Sequence, residues 1–354
     1  MKSLGYGTHA IHNNTATFYG RSKVFTNLGY DNFSTIETMD AKERTKTGWA
    51  KDSVLTNEIM DALHSTSEPD YIYTISVQGH GDYYKESAQV EDPEITVQNV
   101  SEKEQENAVN YYVEQIREMD DFLEQLCATL SEFDEDTVLV LYGDHLPGLG
   151  FTDEDLDNGD VYQTEYVIWS NFDMKKKDKD LNAYQLTAEV FNRLNIHTGT
   201  IMRYHQRYAG KKRYLSRLRA LQYDMLYGEQ YVYRKQNPYL QTDMTFGVQE
   251  VEINSVLASE ESAILYGANY TQCSHVEVNG EDVEVEFISN SALRILTKLK
   301  DGDRIQVLQE TAKEKVLRTS SMFLYTVSDL EKKETEAEPE TAPTKPDAQT
   351  TTEE

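Results

Sequence analysis

Two cysteines in 354 residues are too few, and too far apart, to organise a fold. Cys127 and Cys273 show no C-x-x-C spacing, which argues against a disulfide framework and a zinc knuckle and leaves two packed thiols. Cations are scarce as well, with 34 Lys and Arg against 62 Asp and Glu and a net charge of -28. That balance argues against general attraction to nucleic acid or to an anionic membrane surface, so any anion handled here must be held locally. No run of about 18 apolar residues occurs, so no segment reads as a membrane-spanning helix. The opening MKSLGYGTHAIHNN lacks the apolar core of a signal peptide.

What is present suggests two domains plus extras. LGYGTHAIH already reads as a helix end, a glycine turn and a strand, so folded structure is expected almost from Met1, as if sequence preceded it. From Gly5 to about Asn195, strand-like runs alternate with helical stretches. The expected class is α/β, a mainly parallel sheet with helices on both faces. Four strands are placed at Gly7 to Ile11, Tyr71 to Val77, Val138 to Tyr142 and Tyr166 to Trp169. The clearest helix opens with Ser101 and Glu104 as a capping box and carries Ala108, Tyr112, Ile116, Met119, Leu123, Leu126 and Leu130 along one face.

The domain reading is 1–200 for the α/β part, 201–245 for a helical closing segment and linker, 246–327 for a small β-sandwich and 328–354 for a disordered acidic tail. Within the closing segment, RYHQRYAGKKRYLSRLRALQYDMLYGEQYVY reads as a helix pair whose cations face an acidic body and whose tyrosines pack; nucleic-acid binding is the competing reading. After NPYLQTDMTFG the texture turns to short alternating strands. There Asn279-Gly280 within VEVNGEDVEVEF signals a two-residue hairpin.

In an open α/β sheet, ligands sit beyond the carboxyl ends of the strands. Three strand ends each deliver a histidine: His12 after THAI, His80 after TISVQG and His145 after VLVLYGD. Asp144 and His145 offer one carboxylate oxygen and one imidazole nitrogen, a set suited to zinc, manganese or iron, provided Gly143 and Pro147 turn the backbone. A turn with a satisfied aspartate and a surface histidine is the alternative. Arg21 follows His12 by nine residues with Tyr19 between them. A helix over Thr17 to Asn27 folds Arg21 back over the strand end, where a guanidinium binds phosphate or sulfate oxygens; otherwise it pairs with a surface acid. His80, between Gly79 and Gly81, sits where backbone can approach a ligand. His9, His64, His197, His205 and His275 lack such placement and read as structural or exposed.

Taken together, GYGTHAIHNNTATFYGRSKVFTNLGYDNF, SVQGHGDY, LYGDHLPG, YQTEYVIWSN and LQYDMLYGEQY resemble the lipoteichoic acid synthase branch of the sulfatase and alkaline phosphatase superfamily, over residues 4 to about 235. The resemblance implies an alkaline phosphatase-like fold, N-terminally incomplete. It further implies a divalent cation, manganese, on Asp144 and His145, and phosphoryl contacts from His12, Arg21 and His80. Tyr19 stands where the best-known members carry tryptophan. ILYGANYTQCSHVEVNGEDVEV is similar to an immunoglobulin-like module of the IPT/TIG type, which mediates contacts.

The family's nucleophilic threonine and a metal-binding glutamate lie upstream of this segment, so the nucleophile is expected outside the chain. No C-x-P-x-R or S-x-P-x-R signature of classical sulfatases occurs. The implied function is a metal-dependent phosphoglycerol transferase or sulfatase-like hydrolase of cell-envelope polymer synthesis, partnered by a phosphoglycerol lipid or anionic polymer and by the N-terminal part as a separate chain. Its implied place is extracytoplasmic and membrane-associated. The alternative is an inactive fragment or a binding protein for anionic glycerophosphate polymer.

Overall fold

The segment GTHAIH forms β1 (Gly7–His12), whose residues beyond Gly7 are all buried. Burial on both faces explains why no polar alternation marks it. In this computed structural model, which describes residues 1–98, 100, 102–235 and 241–327, β1 lies between β2 (Asn32–Thr35) and β3 (Asp70–Ile75). β1 and β3 run parallel, in register from Gly7 opposite Asp70 to His12 opposite Ile75. Parallel neighbours need a crossover. The chain between them supplies α1 (Arg21–Leu28) and α2 (Val54–His64), and α2 packs on β1 and β3 through its buried Leu55, Ile59 and Ala62 stripe.

Two compact units divide the chain. One comprises Met1–Asn14, Phe18–Phe33 and Ala41–Met244; the other Thr15–Thr17, Ser34–Asp40 and the chain from Thr245. In the first unit the long helix is α3 (Lys103–Ser131), with Glu102 as its N-cap. The expected capping residue Ser101 lies outside the described residues. The buried face differs from the expected one: Ala108, Tyr111, Gln115, Phe122, Leu126 and Leu130 face inward, and Ile116 is 40% exposed. Apolar periodicity missed the rotation because Gln115 is an inward residue, satisfied there by the side chain of Gln78 at 3.2 Å.

The α/β class with a parallel sheet holds, but β4 (Val138–Tyr142) and β5 (Tyr166–Ser170) depart from the expected parallel order. They pair antiparallel, Val138 opposite Ser170 through Tyr142 opposite Tyr166. Their connection contains only the single turn Asp153–Asp155 and no crossover helix, and an antiparallel pair needs none.

Three helices follow, α4 (Leu186–Arg193), α5 (Thr200–Tyr208) and α6 (Tyr214–Leu226). Tyr204 stacks on Tyr214, and the Tyr214 hydroxyl meets His205 Nδ1 at 2.7 Å. The cations of this stretch make no close pairs with acids among the described residues. Arg203, Arg207, Lys211, Lys212, Arg213, Arg217 and Arg219 are all exposed, and among the described residues none joins an ion pair within 4.0 Å. Their long stems reach solvent, as a hydrated face allows. No helix among the described residues is long and apolar enough to cross a membrane.

The second unit holds β6 (Thr245–Phe246), which belongs to neither of its two sheets, and antiparallel β-structure built from β7 (Glu252–Ala258), β8 (Ala263–Ala268), β9 (Ser274–Val278), β10 (Glu281–Val283), β11 (Val285–Ser289), β12 (Ala292–Ile295), β13 (Arg304–Glu310), β14 (Val316–Thr319) and β15 (Phe323–Leu324). One sheet has the order β10-β9-β13-β14, with β15 also on β13, and another β11-β12-β8-β7. Leu265, Val276, Leu293, Ile295, Ile305 and Val307, all fully buried, form their common core. Asn279 and Gly280 make the two-residue hairpin between β9 and β10 with φ of 58° and 81°, the left-handed pair such turns require. The expected acidic tail, 328–354, and part of the expected linker, 236–240, lie outside the described residues.

The rotated face of α3 is testable by urea denaturation. Leu126→Ala should lower unfolding free energy by about 2–5 kcal/mol and Ile116→Ala by no more than about 0.5 kcal/mol. Equal losses would restore the face expected from the sequence.

Candidate functional site

His12 ends β1, and its ring is held by the neighbouring strand. Nδ1 donates to the Ile75 carbonyl at 2.8 Å, which leaves Nε2 as the acceptor for Arg21 Nη1 at 2.7 Å. This tautomer follows from the hydrogen-bond network. Burial, chiefly, lowers His12 from 6.5 to about 4; the Ile75 bond opposes the shift, while the Arg21 and His80 charges add to it. The imidazole is therefore neutral at physiological pH.

Arg21 is the first residue of α1 rather than lying inside a helix begun at Thr17. Before it, Tyr19 and Gly20 both adopt left-handed backbone, with φ of 51° and 67°. That double turn brings the guanidinium against the rings of Phe18 and Tyr19, 5.3 and 5.7 Å from their centroids. Tyr19 itself is 80% exposed. Burial pulls the Arg21 pKa down, against the charges of Tyr73, Tyr19 and Asp144. Arg21 thus lies within the electrostatic reach of the loop after β4 as well as bonded to the end of β1.

His80 is exposed in the loop after β3, its ring edge-on to Trp49 at 5.3 Å. Gly81 follows with φ of 43°. A cleft of about 580 Å³ joins this loop to the one after β4, lined by His80, Asp82, Tyr84, Lys85, His145 and Gly148 among others. Asp144 and His145 are both exposed. His145 Nδ1 bonds the Leu146 carbonyl at 2.7 Å, and Nε2 stands 3.7 Å from Asp144 Oδ2. A histidine whose Nδ1 is tied to a carbonyl presents Nε2 as a metal donor, so the pair fits part of a coordination shell. It supplies two donors. Among the described residues no group of three or more His, Cys, Asp or Glu is placed to hold a metal.

His12, Arg21, His80, Asp144 and His145 therefore belong to one neighbourhood at the strand ends, with Tyr19 at its edge. Sequence reasoning missed Trp49, Tyr84 and Lys85. The last two follow His80 within GHGDYYKES, a run of polar and aromatic residues that marks a cleft wall only once the loop is folded. The structural reading of the other histidines fits their placement. Buried His9 bridges Asn32 and Asp70, each at 2.7 Å, and His64 sits edge-on to Phe133. His197 bonds Gln206, and His275 is exposed on β9.

The arrangement gathers a guanidinium, two imidazoles and a carboxylate–imidazole pair, groups suited to an oxyanion ester and a divalent cation. The sequence profile of the sulfatase family matches residues 1–204. Among curated proteins, the chain is 27% identical over 273 residues to a Rhizobium meliloti protein named, provisionally, for cyclic β-1,2-glucan modification, covering 65% of this chain and 42% of that protein. It is 26% identical over 144 residues to lipoteichoic acid synthase 1 of Bacillus subtilis, covering 40% and 21%. The chain thus spans less than half the length of the curated relatives it matches. Among solved structures, the Streptococcus pyogenes phosphoglycerol transferase GacH in complex with sn-glycerol-1-phosphate superposes with a TM-score of 0.52 at 21% identity, covering 65% of this chain and 64% of that one. At that identity the likeness is one of fold.

Two buried groups set opposite pH dependences. Between about 4 and 6.5 the unfolded chain protonates His12 and the folded chain does not, so this contribution to stability is complete above 6.5 and is lost as pH falls towards 4. Asp52, fully buried, is raised by burial from 3.8 to about 6, so its contribution is greatest below 3.8 and is lost as pH rises through 6. Urea denaturation across this range should show that His12→Gln removes the rise and Asp52→Asn the fall. Unchanged profiles would contradict both assignments.

Proposed function

The chain belongs to the sulfatase family, and we propose that it carries the phosphoryl-binding side of a phosphoglycerol transferase-like active site. The observation that carries this reading is the bond from Arg21 to His12 Nε2 at the end of β1, with Asp144 close enough to act on the same guanidinium. A phosphate ester offers charged oxygens that a guanidinium can take in pairs. On binding, Arg21 turns donors toward those oxygens while His12, held by Ile75, keeps the arginine at the strand end. His80 approaches from the second loop as a further donor. Tyr19 and Phe18 limit the angles from which the ester enters.

Asp144 and His145 would hold the divalent cation, manganese. When bound, it supplies neutralisation of the phosphoryl oxygens and a lowered pKa for an attacking hydroxyl. Two donors do not complete such a shell. In this reading the remaining ligand, a glutamate, and the attacking threonine come from family sequence outside these residues, on the same or a separate chain.

The substrate class is a phosphoglycerol lipid or an anionic envelope polymer, handled outside the cytoplasm at the cell membrane. The two antiparallel sheets of the second unit serve as an immunoglobulin-like contact module of the IPT/TIG type. The two-donor metal site favours a second reading, in which the chain binds an anionic glycerophosphate polymer without turning it over.

Calorimetric titration of the full chain with glycerol phosphate, with and without manganese, tests the proposal. Saturable binding is expected, weakened about 10- to 100-fold by Arg21→Ala. Asp144→Asn should abolish only the increment due to manganese. Absence of saturation in the wild type, or indifference to Arg21→Ala, would refute it. Release of product from a phosphoglycerol lipid would exclude the binding-only reading.

A further inference from the structure

Asp52 belongs to none of the motifs that mark the site, yet its carboxylate is fully buried where the ends of β1 and β3 meet. One oxygen, Oδ1, accepts three hydrogen bonds: from Asn13 Nδ2 at 2.8 Å, the Val77 N–H at 3.2 Å and the Gln78 N–H at 3.3 Å. The Asp52 N–H in turn donates to Gln78 Oε1 at 2.8 Å. Asn13 adjoins His12, and Gln78 lies two residues before His80. A single oxygen atom therefore ties together the backbone segments that present the two histidines.

The network continues inward. Gln78 Nε2 donates to Gln115 Oε1 at 3.2 Å and to Glu118 on α3, and Glu118 is paired with Lys51 at 3.0 Å. Asn13, Gln78 and Gln115 are each at most 5% exposed. A carboxylate held this deep, with no cation bonded to it, is costly compared with an apolar side chain of similar size. Among the described residues Asp52 Oδ2 and Asn13 Oδ1 have no hydrogen-bond partner, so the cluster is held through Asp52 Oδ1, whose three donors define one geometry where apolar packing tolerates several. Backbone N–H groups at Val77 and Gln78 need some acceptor, and a purely structural role for Asp52 would end there. The bond from Asn13 adds what that role does not require, because it places the end of the other strand on the same atom.

We infer that Asp52 is a positioning residue that fixes the spacing of His12 and His80, and so the distance across which the phosphoryl group is held. This rests on the reading that His80 contacts that group and that His12 holds Arg21 against it. Displacing a binding group by about 1 Å is enough to cost up to about a hundredfold.

The test uses the full chain with two readouts: affinity for inorganic phosphate by calorimetry, and the imidazole nitrogen resonances of His12 and His80 by NMR. Asp52→Asn keeps an oxygen acceptor and should hold affinity within about threefold, whereas Asp52→Ala should lose about tenfold or more and shift the His80 resonances. Gln78→Ala, which spares the bond from Asn13 to Asp52, should move His80 and leave His12 in place, and it serves if Asp52→Ala does not fold. Loss of thermal stability with unchanged affinity and unchanged resonances would overturn the inference. Equal losses in Asp52→Asn and Asp52→Ala would overturn it too. If the wild type binds no phosphate, the functional reading fails, and the histidine resonances still decide whether Asp52 positions the pair.

Discussion

The hydrogen bond from His12 Nδ1 to the Ile75 carbonyl is the contact from which the site is built outward. It exists because β1 and β3 are parallel and in register, His12 opposite Ile75, so the last residue of one strand meets the last carbonyl of the other. With Nδ1 committed, Nε2 can only accept, and the donor it receives is Arg21. A slip of one residue would turn His12 to the opposite face and leave Arg21 without its anchor. Sheet register thus sets the tautomer of a histidine, and that tautomer sets where a cation stands.

This local logic answers the charge problem. A chain with a net charge of -28 cannot attract an anion by its overall field, and the Debye length of about 8 Å at physiological ionic strength keeps distant carboxylates from mattering much. What matters is the few groups within that distance. Arg21 is partly buried and braced by two aromatic rings. His12 is neutral because it is buried beside that guanidinium. A single well-placed arginine can then serve where a surface rich in lysine would otherwise be needed.

Much of this was legible in the sequence because strand ends and histidines coincide three times. β1, β3, β4 and β5 lie where apolar runs put them, and the Asn279-Gly280 hairpin forms with the backbone its residues favour. The partner of β4 was not legible. An apolar run says that a strand is buried or half-buried, and only the connection, here without a crossover helix, decides its direction. The face of α3 escaped for a related reason: Gln115 is inward because Gln78 is there to meet it, and no single-helix pattern contains that fact. Trp49 and Asp52 come from the segment between β2 and α2, far in sequence from the histidines they serve. The left-handed backbone at Tyr19 was equally hidden, since nothing about a tyrosine announces φ of 51°.

The central claim is that the ends of β1 and β3 and the loop after β4 converge on one phosphoryl group. A crystal structure of the chain grown with glycerol phosphate and manganese tests it most directly. Phosphoryl oxygens are expected about 3 Å from the Arg21 guanidinium and from His80, with an anomalous manganese peak about 2.2 Å from Asp144 and His145. A phosphate bound elsewhere, or bound with Arg21 still turned wholly to His12, would contradict it.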